Sequence, residues 1–199
     1  YRPETDELRK LKPANKHLDD MLVSSIAMKD EQTFLMATPY SILRIAFTGT
    51  DYIHDDLETT EMSFDNLTYD SFINNRINKL YVDRKNKVVW LGTFGKGLLK
   101  SNMQDNQVKR ILLDKDIYNV NGVVQDAHGY VWLTTEYHGI WKSNSNQFSS
   151  ATKFSLWENS KSKGRYTIYR DRSGSLWIAD DEGVVQWLNP LSNHRVEFR

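Results

Sequence analysis

Three aspartates, three tryptophans and a scatter of histidines and acids are the residues of this 199-residue chain that could do chemistry. Asp83, Asp126 and Asp171 offer carboxylates for general acid and base work, which needs two such groups held about 5–10 Å apart across a pocket. Glu136 with Asp181 is the one further pair to nominate, and nothing in its spacing compels that role. Trp90, Trp132 and Trp177 present flat apolar faces on which a sugar could stack. His17, His54, His128, His138 and His194 show neither the His-x-x-x-His nor the mixed His/acid spacing of a catalytic metal, so no metal is expected. Gly92, Gly95 and Gly97 make a glycine-rich loop, but it joins two strand-like runs instead of opening a helix, the wrong context for a phosphate. There is no Gly-x-Gly-x-x-Gly, no Walker loop and no Gly-x-Ser-x-Gly, and no cofactor is expected. The absence of Cys excludes disulfides and thiol catalysis and is compatible with an exported protein.

The spacing of these residues gives most of them a structural meaning. Asp83 precedes Val88-Val89-Trp90-Leu91-Gly92-Thr93 and Gly97-Leu98; Asp126 precedes Val131-Trp132-Leu133 and Gly139-Ile140; Asp171 precedes Leu176-Trp177-Ile178 and Gly183-Val184. The tryptophans lie 42 and 45 positions apart and the later glycines 42 and 44 apart. A period in the low forties built from several short strands is the mark of a β-propeller blade. Within each copy, apolar runs of four to six residues are bounded by Gly, Asn, Asp or Lys, as strands are. Asp126 and Asp171 can then accept amide hydrogen bonds within their own turns, while Gly129 and Gly174 take the left-handed conformation that closes a hairpin. In the first of these copies Asn86 stands in for Gly with one residue added. The indoles fill the gap between adjacent blades.

The predicted fold is all-β: propeller blades of four antiparallel strands, about four of them, forming an arc of a larger ring. Residues 1–22 read as the tail of a preceding blade, with Leu8 and Leu11 in its outer strand. Residues 23–70 read as a degenerate blade with a polar insertion in Thr48 to Asp65, and 71–115, 116–160 and 161–199 as three fuller blades. In the degenerate copy Phe34-Leu35-Met36 stands for Val-Trp-Leu, and Ser41 follows Phe34 by seven residues, as Gly97 follows Trp90. The chain opens at Tyr1-Arg-Pro in mid-repeat without an initiator Met, which reads as an excised segment.

Residues that do not repeat at equivalent positions are the better candidates for recognition, because the fold does not require them. The loop between second and third strands carries Phe94 and Lys96 in one blade, Glu136, Tyr137 and His138 in the next, and Asp181 and Glu182 in the last. The segments leading into the first strands, expected on the same face, add Asn75, Arg76, Tyr118, Asn119, Asn121, Arg165 and Tyr166. Aromatic rings beside amides, cations and carboxylates suit a carbohydrate, whose C–H face stacks while its hydroxyls are fixed by the polar groups.

Lys+Arg and Asp+Glu both number 26, so no charge excess recommends nucleic acid or an anionic membrane. No apolar run approaches the roughly eighteen residues needed to span a bilayer. Trp90-Leu-Gly-Thr93 with Gly97-Leu98, inside Ile77 to Lys100, resembles the two-component-regulator propeller repeat. Val120 to Lys142 keeps the pattern with Thr134 in place of the first Gly, and Tyr166 to Gln186 departs further, with Ala179-Asp180 in place of Gly-Thr. The Asp-x-x-Gly element is similar in outline to the Asp-box of sialidases, but its spacing to Gly differs. The resemblance implies a periplasmic sensor region of a hybrid two-component system, one that detects polysaccharide fragments and is anchored in the inner membrane beside a kinase. It implies an oligosaccharide ligand and no catalysis in this segment. Open blade edges point to self-association as a homodimer. A non-catalytic scaffold and, further off, a propeller glycosidase or lyase are the alternatives.

Overall fold

The computed structural model describes residues 22–39, 41–47, 57–61, 76–103, 108–113, 117–145, 154–157 and 165–198. All but Leu22 of the expected tail at residues 1–22, together with Asn75, His54 and most of the Thr48–Asp65 stretch, lies outside them. The described strands form four antiparallel sheets of four strands each, every sheet in chain order. The first holds β1 (Ser25–Met28), β2 (Thr33–Ala37), β3 (Ile42–Phe47) and β4 (Leu57–Glu61); the second holds β5 (Ile77–Asp83), β6 (Val88–Thr93), β7 (Leu98–Asn102) and β8 (Val108–Ile111). The third holds β9 (Val120–Gln125), β10 (Val131–Thr135), β11 (Ile140–Ser143) and β12 (Phe154–Leu156); the fourth holds β13 (Tyr166–Arg170), β14 (Leu176–Asp180), β15 (Val185–Asn189) and β16 (His194–Phe198). β1 lies against β5, β5 against β9 and β9 against β13, so the first strands face one another around an axis and the fourth strands lie outermost. This is a propeller arc of four blades.

Three apolar layers hold the sheets together. Leu35, Ala37 and Ile42 meet Leu80, Val89 and Leu91 between the first and second sheets. Trp90 and Leu98 meet Val123, Leu133 and Trp141 between the second and third. Trp132 and Ile140 meet Tyr166, Ile168 and Leu176 between the third and fourth. Burying a large apolar side chain is worth about 1.5–3 kcal/mol. β6, whose six residues are all buried, is sandwiched on both faces, which is why its run is apolar without alternation.

The aspartates and indoles are linked more closely than their spacing announced. Asp126 Oδ1 accepts from the His128 and Tyr130 amides, and its Oδ2 accepts the Trp132 indole N–H at 2.8 Å. Asp171 repeats this with the Ser175 amide, the Ser173 hydroxyl and the Trp177 indole at 2.8 Å. One carboxylate thus closes the turn and fixes the rotamer of the tryptophan six residues on. Across the sheet from two of the indoles sits a lysine, Lys100 opposite Trp90 and Lys142 opposite Trp132, with its ammonium 5.6 and 4.9 Å from the ring. In the fourth sheet Trp187 takes that place opposite Trp177.

Four details depart from the sequence reading. Leu35 takes the indole's place, as the Val-Trp-Leu match has it, so the seven-residue count from Phe34 to Ser41 does not hold, and the Thr38 hydroxyl bonds to the Ser41 carbonyl as Thr93 bonds to Gly97. The degenerate copy therefore has a shorter loop and a leucine at the indole position. In the lengthened turn Lys87, at φ 53°, takes the left-handed conformation, while Asn86 donates to Asp83 through its amide and its side chain. The added residue moves the positive φ one place along. The stretch read as a polar insertion contains β4, paired to β3 along its whole length. Trp177 is 38 % exposed where Trp90 and Trp132 are 1 and 2 % exposed. Among the described residues no further sheet packs on its face of the fourth sheet, and it stacks on Phe198 with centroids 6.1 Å apart.

Hydrogen bonds from Ser173 and then Trp177 hold the Asp171 carboxyl below its ordinary value. A depressed folded pKa means that the bonded carboxylate contributes above the unfolded value and is lost as pH falls through the folded one. The Trp177 indole proton should accordingly shift in NMR spectra as the pH drops below about 4. An Asp171→Asn variant that kept the step would assign it to another group.

Candidate functional site

At one end of the axis the loops between second and third strands of the first three sheets are stitched to the segments leading into the next sheet. Phe94 bridges to Asn119, and the Gly95 and Gly97 amides donate to the Tyr118 carbonyl at 2.8 and 2.7 Å. Glu136 bridges in the same way to Arg165. Each loop closes on itself through Thr93 or Thr135, whose hydroxyls donate to the Gly97 and Gly139 carbonyls. In the last loop Asp180 does this work, accepting from the Glu182 and Val184 amides.

This stitching brings together Asn119, Glu136, Tyr137 and Arg165. Asn119 accepts from the Gly95 amide and donates its Nδ2 to Glu136 Oε2 at 2.7 Å, while Glu136 Oε1 pairs with Arg165 at 2.7 Å. The hydrogen bond that Arg165 donates to Tyr137, then the Glu136 charge, raises the Arg165 pKa above its ordinary value. Tyr137 sits at φ 66° and is 57 % exposed, so a strained backbone holds its ring in solvent. Phe94 and Tyr118 are also exposed, with the Arg76 and Arg110 guanidinium carbons 5.5 and 5.6 Å from their centroids. Three aromatic rings thus stand out from one face among cations, an amide and a carboxylate.

The other sequence candidates contribute less. Lys96 gives its amide to Thr93, and His138 packs its Nδ1 against the Glu136 carbonyl at 2.9 Å. Asp181 reaches Arg165 through its backbone amide, and its side chain and that of Glu182 are exposed at the last loop. Both Glu136 oxygens are engaged by Asn119 and Arg165, an arrangement for fixing structure rather than for shuttling a proton with Asp181. Tyr166 is not on this face. It lies in the layer between the third and fourth sheets, 6 % exposed, because its register puts it on the same side of β13 as Ile168. Among the described residues, no group of three His, Asp or Glu is placed to hold a metal ion.

The opposite end of the axis holds a feature that the sequence reading missed. The hairpin turns after β5 and β9, with the end of β13, enclose a cleft of about 770 Å³ lined by Tyr81, Arg84, Lys85, Gln125, His128 and Arg170 among others. Burial pushes the Tyr81 phenol up, against the opposing charge of Arg170, to which it is hydrogen-bonded. The signal was the same as for the loops: Arg84-Lys85 and Arg170 stand where the neighbouring turn has Ala127-His128 and Gln125, so they are not required by the repeat.

No family model matches the sequence, and no curated protein is similar to it at a significant level. Solved structures do match. The extracellular domain described as that of the hybrid two-component system BT3049 from B. thetaiotaomicron superposes with a TM-score of 0.61 at 16 % identity, over 92 % of this chain and 25 % of that one. That of BT4673 from the same organism gives 0.57 at 15 % identity, over 91 % and 25 %. A Bacteroides caccae protein of unknown function gives 0.54 at 12 % identity, over 91 % and 62 %. The chain thus spans about a quarter of the length of the first two, and its blades have the fold seen in the extracellular domains of hybrid two-component systems.

Proposed function

We propose that this chain is a ligand-reading segment of an extracytoplasmic, periplasmic sensor propeller, and that it binds an oligosaccharide for a hybrid two-component receptor whose kinase lies outside it. The observation that carries the reading is the loop face: Phe94, Tyr118 and Tyr137 exposed beside Arg76, Asn119, Glu136 and Arg165, on a fold shared with sensor extracellular domains. The rings stack on the sugar and the fixed polar groups take its hydroxyls. Such a ligand signals only by binding two receptor arrangements with different affinity. Calorimetry against defined oligosaccharides tests this. Saturable binding is expected, weakened about tenfold by Tyr137→Ala, the scale of one aromatic stack, with no change in melting temperature. New reducing ends would instead make the protein an enzyme.

A second reading has its own support. The open face of the fourth sheet carries Tyr169, Trp177 and Phe198, 64, 38 and 48 % exposed, a patch suited to another protein surface or a second copy. Silence across the oligosaccharide panel together with concentration-dependent light scattering would favour that scaffold role.

A further inference from the structure

We infer that the cleft at the hairpin-turn end of the arc is an oxyanion site, taking a carboxylate, sulfate or phosphate group carried on a small ligand. It lies at the other end of the axis from the loop face and stands independently of the oligosaccharide reading. Three cationic residues from two sheets line it: Arg84 and Lys85 from the turn after β5, and Arg170 from the last position of β13. The Arg84 guanidinium is committed to the first sheet, which leaves Lys85 and Arg170 to meet a ligand. Among the described residues none of the three is ion-paired with a carboxylate.

Two acids also line the cleft, and their geometry explains why they do not cancel the cations. Asp83 and Asp126 are each 3 % exposed. The oxygens of Asp83 are bound by Asn86, and those of Asp126 by its own turn and the Trp132 indole. They are fastened inside the blades and cannot swing out to pair with surface cations. The cations are themselves positioned. Arg84 donates its Nε and Nη2 to the Met28 carbonyl at 3.3 and 3.2 Å, reaching across to the first sheet. Arg170 is hydrogen-bonded with Tyr81 and lies beside Gly174. Its Nε meets no acceptor among the described residues. A positioned guanidinium and an ammonium without a carboxylate partner, in one concave site whose acids are bound elsewhere, are what recognition of an oxyanion requires. The cleft's size falls within the roughly 300–1,000 Å³ of small-molecule sites.

The test is an NMR titration of the 199-residue chain at low salt with sodium sulfate, sodium glucuronate and glucose. Saturable shifts of the Arg84, Lys85, Gln125 and Arg170 amides are expected with the anions and none with glucose, and sodium chloride at about 0.5 M should weaken them. Tighter binding of glucuronate would identify a sugar acid as the carrier, and tighter binding of sulfate a free or esterified oxyanion. Lys85→Gln, an exposed position that should leave the melting temperature unchanged, should lower anion affinity at least fivefold, and Arg170→Gln should do so too. The proposal fails if neither anion saturates the cleft at millimolar concentration, if glucose binds as well, or if Lys85→Gln binds like the parent.

Discussion

Trp132→Ala should cost the fold about 3–5 kcal/mol, the usual scale for emptying a buried tryptophan site. The indole is 2 % exposed, meets Trp157 edge-on with centroids 5.5 Å apart, lies beneath Lys142, and donates to a buried carboxylate. Truncation opens a cavity between the third and fourth sheets and leaves Asp126 Oδ2 without its donor. Trp132→Phe separates the two effects: it keeps most of the volume and should cost about 1–3 kcal/mol for the unsatisfied oxygen. Trp177→Ala removes the same residue type with the same aspartate bond, but from an open face, and should cost a small fraction of the Trp132 value. Urea unfolding of the three variants measures the series. Equal losses at positions 132 and 177 would mean that burial between sheets is not what the repeat indole supplies.

Gly97→Ala should be nearly as damaging, and Gly183→Ala much less so. The two glycines close equivalent loops with nearly equal backbone angles, φ 71° and 83°. A side chain at either incurs the left-handed strain of about 1–2 kcal/mol. At position 97 the new Cβ would also lie 2.5 Å from the Ile117 carbonyl oxygen, a backbone atom of the neighbouring blade, whereas at position 183 nothing lies within 4 Å. Overpacking of that kind adds about 1–3 kcal/mol. The difference between the two variants, measured in one denaturant series, therefore reports the close approach of adjacent blades. Identical costs would show that the approach contributes nothing.

Most of the architecture was legible because a repeat announces itself many times over. Trp90, Trp132 and Trp177 with their glycines placed twelve strands, and the weaker match at Leu35 still found the first sheet. β4 was not legible: Leu57-Glu-Thr-Thr-Glu61 has no apolar alternation, and as the outermost strand of its sheet it is not asked for any. The exposure of Trp177 could not be read from its motif, since burial there depends on whether another sheet packs beyond it and not on the residue. The loop face was legible in outline, because Glu136, Tyr137 and Arg165 differ from their counterparts in other blades. The linkage of Asn119 through Glu136 to Arg165 was not, since it joins residues 17 and 29 positions apart. The cleft escaped because its walls are the aspartate turns themselves, and a residue with an evident structural duty draws attention away from its neighbours.

The two ends of the axis differ in the kind of bond that joins one blade to the next. At the loop end the crossings include main-chain hydrogen bonds, Ile77 to Pro39 and Gly95 and Gly97 to Tyr118, which no point mutation short of proline removes. At the turn end they are carried by side chains, Arg84 to Met28 between the first two blades and Arg170 to Tyr81 from the fourth blade to the second. The arc is bound like a book along one spine, with its fore-edge clasped by replaceable hooks. Drift in sequence can rewrite those hooks, altering how far the pages spread and what slips between them, without loosening the binding.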